Sequence, residues 1–494
     1  MAICCAAAAG NGVDNLHREV ERGMELWHVP GMAVAVVGPD DVRFQQGFGR
    51  TSANGGELVD EHTLFAIAST TKAMVVSGIL MLADEEKLQL DDLVIEHIPE
   101  LHFADSSLTQ QITIRDLLAH RTGLPSTDGW VFLQEMPLDE QIGRMRTVDS
   151  MAPARARLIY QNTMYELAGL IIERVTGMHW DAFLTERLWH PIGMRETYGA
   201  RGRIAPDKTH VTPYHFINDE LTEAEWDFNI DFADAAGSVW SSLHDMSLWA
   251  QFLLRGAVTT DGTQLISDSG LAEMFEPTQL ATPDDFYPTV ALTKPNWRTY
   301  GLGWFQQDFQ GRKIDFHTGS LSGLIAIIGL DRVEKKAVIV LGNRDHAEMR
   351  HALLWHVMDN SPNGEKRDWN QEIFDLYETA AADAKEKEDE DHKGRLPNTK
   401  PALSLASYAG TYRNKTLDDF VIRYADGELE LDTGRISFDI SHWHLETFQV
   451  LKEEIDFRSF LTFDIGVDGT VGKFVIFGRE EFVRLPDESE ATPD

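Results

Sequence analysis

From Ala73 to Leu82 the sequence reads AMVVSGILML, and a helix built from it is apolar on nearly every face. Ala73, Met74, Val75, Val76, Ile79, Leu80 and Leu82 leave almost no side fit for water, so the helix should be buried. Ser69-Thr70-Thr71-Lys72 stands at its start. Ser and Lys three apart on a helix share a face, which sets an amine beside a hydroxyl nucleophile. The free N–H groups and positive dipole end of the helix suit a developing oxyanion near the serine. A lysine in the first turn of a buried helix is partly desolvated, which favours its neutral, basic form. The physical reading is a serine with its own base. Taken alone, though, Ser-x-x-Lys is a common pattern whose ordinary origin is a solvated helix turn.

Two further groups strengthen it. Tyr160-Gln161-Asn162 opens TMYELAGLIIERVTG, where Tyr165, Ala168, Leu170, Ile171, Ile172 and Val175 mark a helix face and Gly177 its stop. Tyr160 and Asn162 therefore fall on a loop before a helix, where side chains can point into a cleft. His317-Thr318-Gly319 ends the strand-like Lys313–Phe316. Leu324–Leu330 and Ala337–Leu341 follow around a charged turn and read as an antiparallel hairpin. A glycine at such a strand edge lets a substrate backbone come close.

With these groups in this order, the chain resembles the penicillin-recognising serine hydrolases. These include class C β-lactamases, D-aminopeptidases, D-alanyl-D-alanine carboxypeptidases and carboxylesterases of the same fold. The similarity runs over about residues 25–345. It includes Pro30–Val37 with Phe48-Gly49, Ile112–His120 with Thr122–Pro125, Ala236–Ser242, and Tyr300–Trp304.

The resemblance implies Ser69 as the acylated nucleophile and Lys72 as the group that activates it. Tyr160 would shuttle protons; which of Lys72 and Tyr160 is the base stays open. Asn162 would hold Lys72 and bond the acyl amide of the substrate. His317, Thr318 and Gly319 would line the substrate, and the N–H groups of Ser69 and Ser320 would form the oxyanion hole. Family members that act on β-lactams or peptide C-termini usually carry lysine where His317 stands. A histidine is largely neutral near pH 7, so it offers a weaker hold on a carboxylate. Histidine is common there among esterases and aminopeptidase-like members, which lowers the expectation of β-lactam turnover.

Other features exclude classes of function. The net charge of −36, from 80 acidic and 44 basic residues, disfavours nucleic acid and anionic membrane surfaces as partners. No segment has the apolar length of a membrane span. His-Glu-x-x-His and Cys-x-x-Cys are absent, and Gly301-x-Gly303 lacks a third glycine, so neither metal nor cofactor is expected. His120 reads as a loop-ordering residue, and His210, His215 and His244 as single and unpartnered. Cys4 and Cys5 are adjacent and cannot build a disulfide framework. Residues 1–10 read as a disordered start rather than a signal remnant; the compartment, bacterial cytoplasm or periplasm, stays open.

Beyond residue 345 the texture changes. Met349–Asp359 and Trp369–Ala382 read as amphipathic helices, and Ala381–Lys393 as a solvated helix end or linker. From Leu405 short strands alternate with turns such as Asp426-Gly427 and Asp468-Gly469. They read as Phe420–Tyr424, Leu429–Leu431, Phe448–Lys452, Ser459–Asp464, Lys473–Phe477 and Phe482–Leu485. This part looks like the lipocalin-like domain appended to some of these hydrolases; in relatives it can cap the active site or build homo-oligomer contacts. A barrel so small should have a filled interior.

The expected fold class is α+β. An N-terminal segment, 1–24, precedes a β-lactamase/transpeptidase-like catalytic domain at 25–380. That domain combines an antiparallel sheet flanked by helices with an all-helical lobe at about 70–235. A charged linker at 381–403 and a β-barrel at 404–494 follow. The proline-marked insertion Thr259–Arg298 should shape the pocket rim. The expected activity is hydrolysis of an amide in small peptides, D-residues included. A carboxylesterase for short acyl esters and then a β-lactamase are the alternatives. Outside enzymes, a slowly acylated binding or sensor protein is the competing reading.

Overall fold

The computed structural model describes residues 15–224, 234–361, 367–455, 457–478 and 480–486. Cys4, Cys5 and the reading of residues 1–10 lie outside them. The chain forms two compact units, one of Met1–Ser126 with Asp149–Thr379, the other of Thr127–Val148 with Ala380–Asp494.

The first unit is built on an eight-stranded sheet in which every pairing is antiparallel. Its spatial order is Val42–Gly49, Gly31–Val37, Lys336–Gly342, Leu324–Asp331, Arg312–Leu321, Phe305–Phe309, Arg298–Tyr300 and Gln279–Leu280. The central strands Gly31–Val37 and Leu324–Asp331 are buried at every position. That is why they read as unbroken apolar runs: helices cover both faces. Leu243–Leu254 packs on one side, and Met349–Met358 with Leu16–Leu26 on the other. Met349–Met358 is buried at all ten positions rather than amphipathic, being enclosed between the sheet and the Leu16–Leu26 helix.

Thr71–Asp84 is the apolar helix, and Thr71 through Leu82 are all buried. Thr163–Thr176 lies against it and ends at Gly177 with φ 71°, the expected left-handed stop. The lobe is not all-helical. Leu64–Ala66, Trp240–Ser242 and Thr197–Tyr198 make a small sheet, and Tyr214–Ile217 pairs with Glu220–Glu223. These strands are too short, and Glu220–Glu223 too exposed, to show an alternating pattern in the sequence.

The second unit contains a closed eight-stranded barrel. A strand at Ser437–His444 was not apparent from the sequence, because Ser, Asp and His occupy its outward positions and a bulge breaks its period near His442. The interior is filled by aromatic rings: Phe420 stacks on Phe482 at 4.3 Å and Phe474 on Phe482 at 4.9 Å. The segment Thr127–Val148 is held to barrel loops through Arg144, which donates to Leu417 O at 2.9 Å and pairs with Asp418 at 2.7 Å. The charged run Ala381–Lys393 is helical, as the second half of Trp369–Lys393.

Candidate active site

Ser69 lies in a tight turn, Ala68–Thr70, between the strand Leu64–Ala66 and the buried helix. Ala68 has φ 46°, a left-handed conformation that costs a side-chain-bearing residue free energy and that the surroundings must impose. They do so from two sides. Ile67 N–H donates to Val239 O at 2.9 Å, and Thr70 Oγ1 donates to Ile67 O at 2.8 Å. On the other side Gly319 presses against the turn, where an added Cβ would lie 2.2 Å from Ile67 O. The glycine expected to admit a substrate backbone thus admits the turn that carries Ser69.

Lys72 has no exposed surface. Its Nζ lies 3.0 Å from Ser69 Oγ, 2.8 Å from Asn162 Oδ1 and 2.8 Å from Ala236 O. An ammonium uses all three contacts as a donor. A neutral amine can donate to Asn162 and Ala236 and turn its lone pair to the Ser69 hydroxyl. The same geometry therefore serves before and after proton transfer. The Tyr160 and Tyr165 rings face Nζ at 4.9 and 5.3 Å.

His120 positions Tyr160. Its carbonyl accepts from Ile159 N–H at 2.9 Å and its Nδ1 from Gln161 N–H at 3.4 Å, so both neighbours of Tyr160 are held. The His120 and Tyr160 rings are 4.2 Å apart. The loop-ordering role expected of His120 is thereby a grip on Tyr160 itself. His120 also sits at φ 51° and is wholly buried. Burial first, then the charge of Lys72 and the ring of His317, push its pKa well below the ordinary value. Nearby, the buried Asp116 carboxylate accepts from Arg121 at 2.6 Å and Arg155 at 2.7 Å, which fixes the loop carrying His120.

His317 lies inside a strand, since Arg312–Leu321 is continuous through Ser320. The apolar pattern Lys313–Phe316 alone places the end of that strand at Phe316. Pairing with Leu324–Asp331 carries it on, to a turn at Gly323. The adjacent Phe305–Phe309 stops at Phe305, opposite Phe316. Beyond that point the His317–Leu321 edge has no ladder partner on that side among the described residues. The His317 ring is buried, and its pKa falls to about 3, through burial first and Lys72 second. Nδ1 faces Thr318 O at 2.6 Å and so carries the proton; Nε2 accepts from Tyr300 Oη at 3.0 Å. His317 is thus neutral, with both nitrogens used inside the protein. Its ring lies 6.1 Å from that of Tyr160. Tyr287, within the insertion expected to form a rim, meets Thr318 Oγ1 at 2.6 Å.

A third cluster was invisible in the sequence. Arg350 Nη1 donates to Gly319 O at 2.6 Å and to Ser320 Oγ at 2.8 Å. Glu348 accepts from Arg350 at 2.9 Å and from His351 at 2.8 Å. All three are buried. Burial alone would raise the Glu348 carboxyl, but Arg350 and His351 outweigh it and hold it well below the usual carboxylate range. The cluster braces from behind the strand segment that carries Gly319 and Ser320. In the sequence Tyr300 and Ala236 belong to blocks that carry the family resemblance; in the structure the hydroxyl of one meets His317 and the carbonyl of the other meets Lys72. His215 and His244 are not unpartnered either: His215 meets Ser322 at 2.9 Å and His244 meets Asp245 at 3.2 Å.

A family model described as Beta-lactamase matches residues 16–361. The chain belongs to the Beta-lactamase family. It is a serine hydrolase of the β-lactamase/transpeptidase-like fold with a C-terminal eight-stranded barrel. A domain of unknown function, DUF3471, matches residues 395–488. Among curated relatives, the unguisins hydrolase of Aspergillus violaceofuscus is 27% identical over 462 residues, covering 84% of this chain and 77% of its own. Among solved structures, the octameric penicillin-binding protein homologue of Pyrococcus abyssi superposes with TM-score 0.61 at 20% identity. That match covers 96% of this chain and 100% of the other. The D-amino acid amidase of Ochrobactrum anthropi SV3 gives 0.57 at 22% identity, over 71% of this chain and 97% of its own. At these identities the structural likenesses speak for fold. Among the described residues, no helix of this family member is long and apolar enough to cross a membrane.

Proposed function

We propose that this hydrolase cleaves amide bonds of small peptides, D-residues included, through an acyl-enzyme on Ser69. Ser69 Oγ attacks the substrate carbonyl carbon while its proton passes to neutral Lys72. The oxyanion that forms meets the N–H groups of Ser69 and Ser320. Donors fixed in advance contribute roughly 3–4 kcal/mol each in such sites. The C–N bond then breaks, and the leaving amine takes the proton from Lys72 by way of Tyr160. Water hydrolyses the ester by the reverse relay, which regenerates Ser69 and releases the acid. Asn162 keeps Lys72 in place and bonds the acyl amide. The open edge from His317 to Leu321 suits an extended peptide laid beside it.

The observation that carries this reading is Lys72, wholly buried and within hydrogen-bond distance of Ser69 and Asn162 together. The amide preference rests on the names of the similar proteins, a hydrolase and an amidase among them. One observation favours an esterase instead: neutral His317 supplies no cation for a carboxylate. Assembly into a homo-oligomer is proposed on the likeness to the octameric homologue, and sedimentation tests it.

Intact-protein mass spectrometry with D- and L-aminoacyl amides, p-nitrophenyl esters and β-lactams decides among these readings. An adduct on Ser69 with turnover of amides is expected, and Ser69→Ala should remove both. Fast ester turnover with inert amides would make the protein an esterase. An adduct that never clears would make it a binding or sensor protein.

A further inference from the structure

His62, Glu196 and His244 come from three distant parts of the chain and meet at one end of the small lobe sheet. His62 precedes the strand Leu64–Ala66, Glu196 precedes Thr197–Tyr198, and His244 follows Trp240–Ser242. Both outer strands run antiparallel to the middle one, so two strand starts and one strand end share a rim. One ligand atom from each of the three residues lies within 4.8 Å of the others. Among the described residues this is the one group of three or more His, Cys, Asp or Glu side chains so placed.

We propose that these residues bind a divalent transition metal of the zinc class, with a fourth position open to water. Two imidazoles and a carboxylate are a donor set that zinc accepts in tetrahedral geometry. Ligands about 2.0–2.1 Å from a tetrahedral ion stand about 3.3 Å from one another. His62 Nδ1 and Glu196 Oε2 are 2.9 Å apart, a few tenths of an ångström from that spacing, and the His244 ring, within 4.8 Å of both, has to move in to complete the set.

The outer partners point the same way. Asp245, fully buried, faces His244 Nδ1 through Oδ1 at 3.2 Å, leaving the other ring nitrogen for the metal. A carboxylate behind a ligating histidine is the usual device for fixing its ring and raising its basicity. The second Asp245 oxygen accepts from Glu196 N–H at 2.6 Å and Thr197 Oγ1 at 2.8 Å. One buried carboxylate therefore holds the His244 ring and the backbone that carries Glu196. His244 N–H is tied to Glu61 O at 2.9 Å, and His62 N–H to Asp60 Oδ1 at 3.0 Å. The backbone frame is thus complete before any ion arrives. Lys208 occupies Glu196 Oε1 at 2.8 Å, which leaves Oε2 as a single ligand atom. The His62 and His244 side chains are 54% and 43% exposed, so an ion has a way in.

The consequence is local. A bound ion would fasten the strand that leads to Ser69 onto the rest of the lobe, without touching Ser69 or Lys72. Nothing in the sequence suggested it, because the ligands share no spacing.

The test uses the full chain stripped with chelator, then titrated with cobalt(II) and with zinc. The expected result is about one metal per chain after gel filtration, and for cobalt the intense visible bands of tetrahedral coordination. His62→Ala and His244→Ala should each lose those bands, and zinc should raise the melting temperature of the parent but of neither variant. Both variants alter exposed side chains, so folding is checked by circular dichroism. No retained metal in the parent would overturn the proposal. Unchanged cobalt bands in both variants would overturn this ligand set.

Discussion

Around Ser69 the buried volume holds Lys72, Asp116, His120, Glu348, Arg350 and His351, whereas the barrel interior holds Phe420, Phe448, Phe463, Phe474 and Phe482. Both interiors are closed to water, yet they are held by different physics. An ionisable group leaves water only at a cost that partners must offset, and each one here has a defined partner. Aromatic rings need no partner; they contribute through the area they bury and their edge-to-face and offset contacts. The catalytic unit accepts the costly interior where reactive groups need fixed positions. The barrel packs mainly aromatic rings, and its buried Tyr408 and Tyr412 hydroxyls are satisfied locally, by Glu446 and by Tyr408 O. Removing one member should therefore orphan a charge in the first unit and open a cavity in the second.

Lys72→Ala carries the largest expected effect. Loss of a positioned base costs about 10²–10⁴-fold, and the coupling to Ser69 and Tyr160 places this variant at the upper end. The measurement is kcat/KM on whichever amide or ester acylates Ser69, with folding checked separately. Rates within tenfold of the parent would make Tyr160 the sole base and reduce Lys72 to a structural cation.

The next pair sets the two interiors against each other directly. Glu348→Gln keeps the shape of the side chain but leaves the Arg350 charge buried and uncompensated, a loss of about 3–5 kcal/mol. Phe474→Leu keeps the apolar character and should cost about 1–2 kcal/mol, while Phe474→Ala should cost about 3–5 kcal/mol. Urea denaturation gives the totals, and hydrogen exchange by mass spectrometry in the full chain shows which strands loosen. A mild Glu348→Gln would mean that the charges there are not what holds the Gly319–Ser320 segment, and the contrast between the interiors would fail.

The same contrast explains what could be read from the chain alone. Ser69 and Lys72 were legible because one helical turn encodes their proximity, and Thr71–Leu82 announced its burial by composition. The barrel showed itself through turns and period-two strands, except Ser437–His444, where polar outward positions and a bulge hid the alternation. Glu348 and Arg350 were not legible. They support Ser320 from 28 and 30 residues away, and a charged pair in sequence ordinarily means a solvated surface. His62, Glu196 and His244 were hidden for a related reason, since sheet pairing and not spacing brings them together. Sequence reads local periodicity well; it does not say which polar side chains the fold will take inside.

His317 offers the smallest effect and the finest test. Its pKa in the folded protein is about 3, against an ordinary value of 6.5, and burial is the main cause. Between those values the unfolded chain binds a proton that the folded chain refuses, so stability falls as pH drops below 6.5. At about pH 5 the loss is about 2 kcal/mol for this residue. Carboxylates such as Asp116 and Glu348 have folded pKa values below their ordinary range, so their losses begin at lower pH, and they are present in both chains compared. His317→Gln keeps a donor for Thr318 O and an acceptor for Tyr300, and does not titrate. Between about pH 7.5 and about pH 5, the parent should therefore lose about 2 kcal/mol more than this variant in urea denaturation. Equal losses would mean that His317 is protonated in the folded protein. The strand would then present a cation beside Thr318, and substrates with a free carboxylate would move ahead of esters.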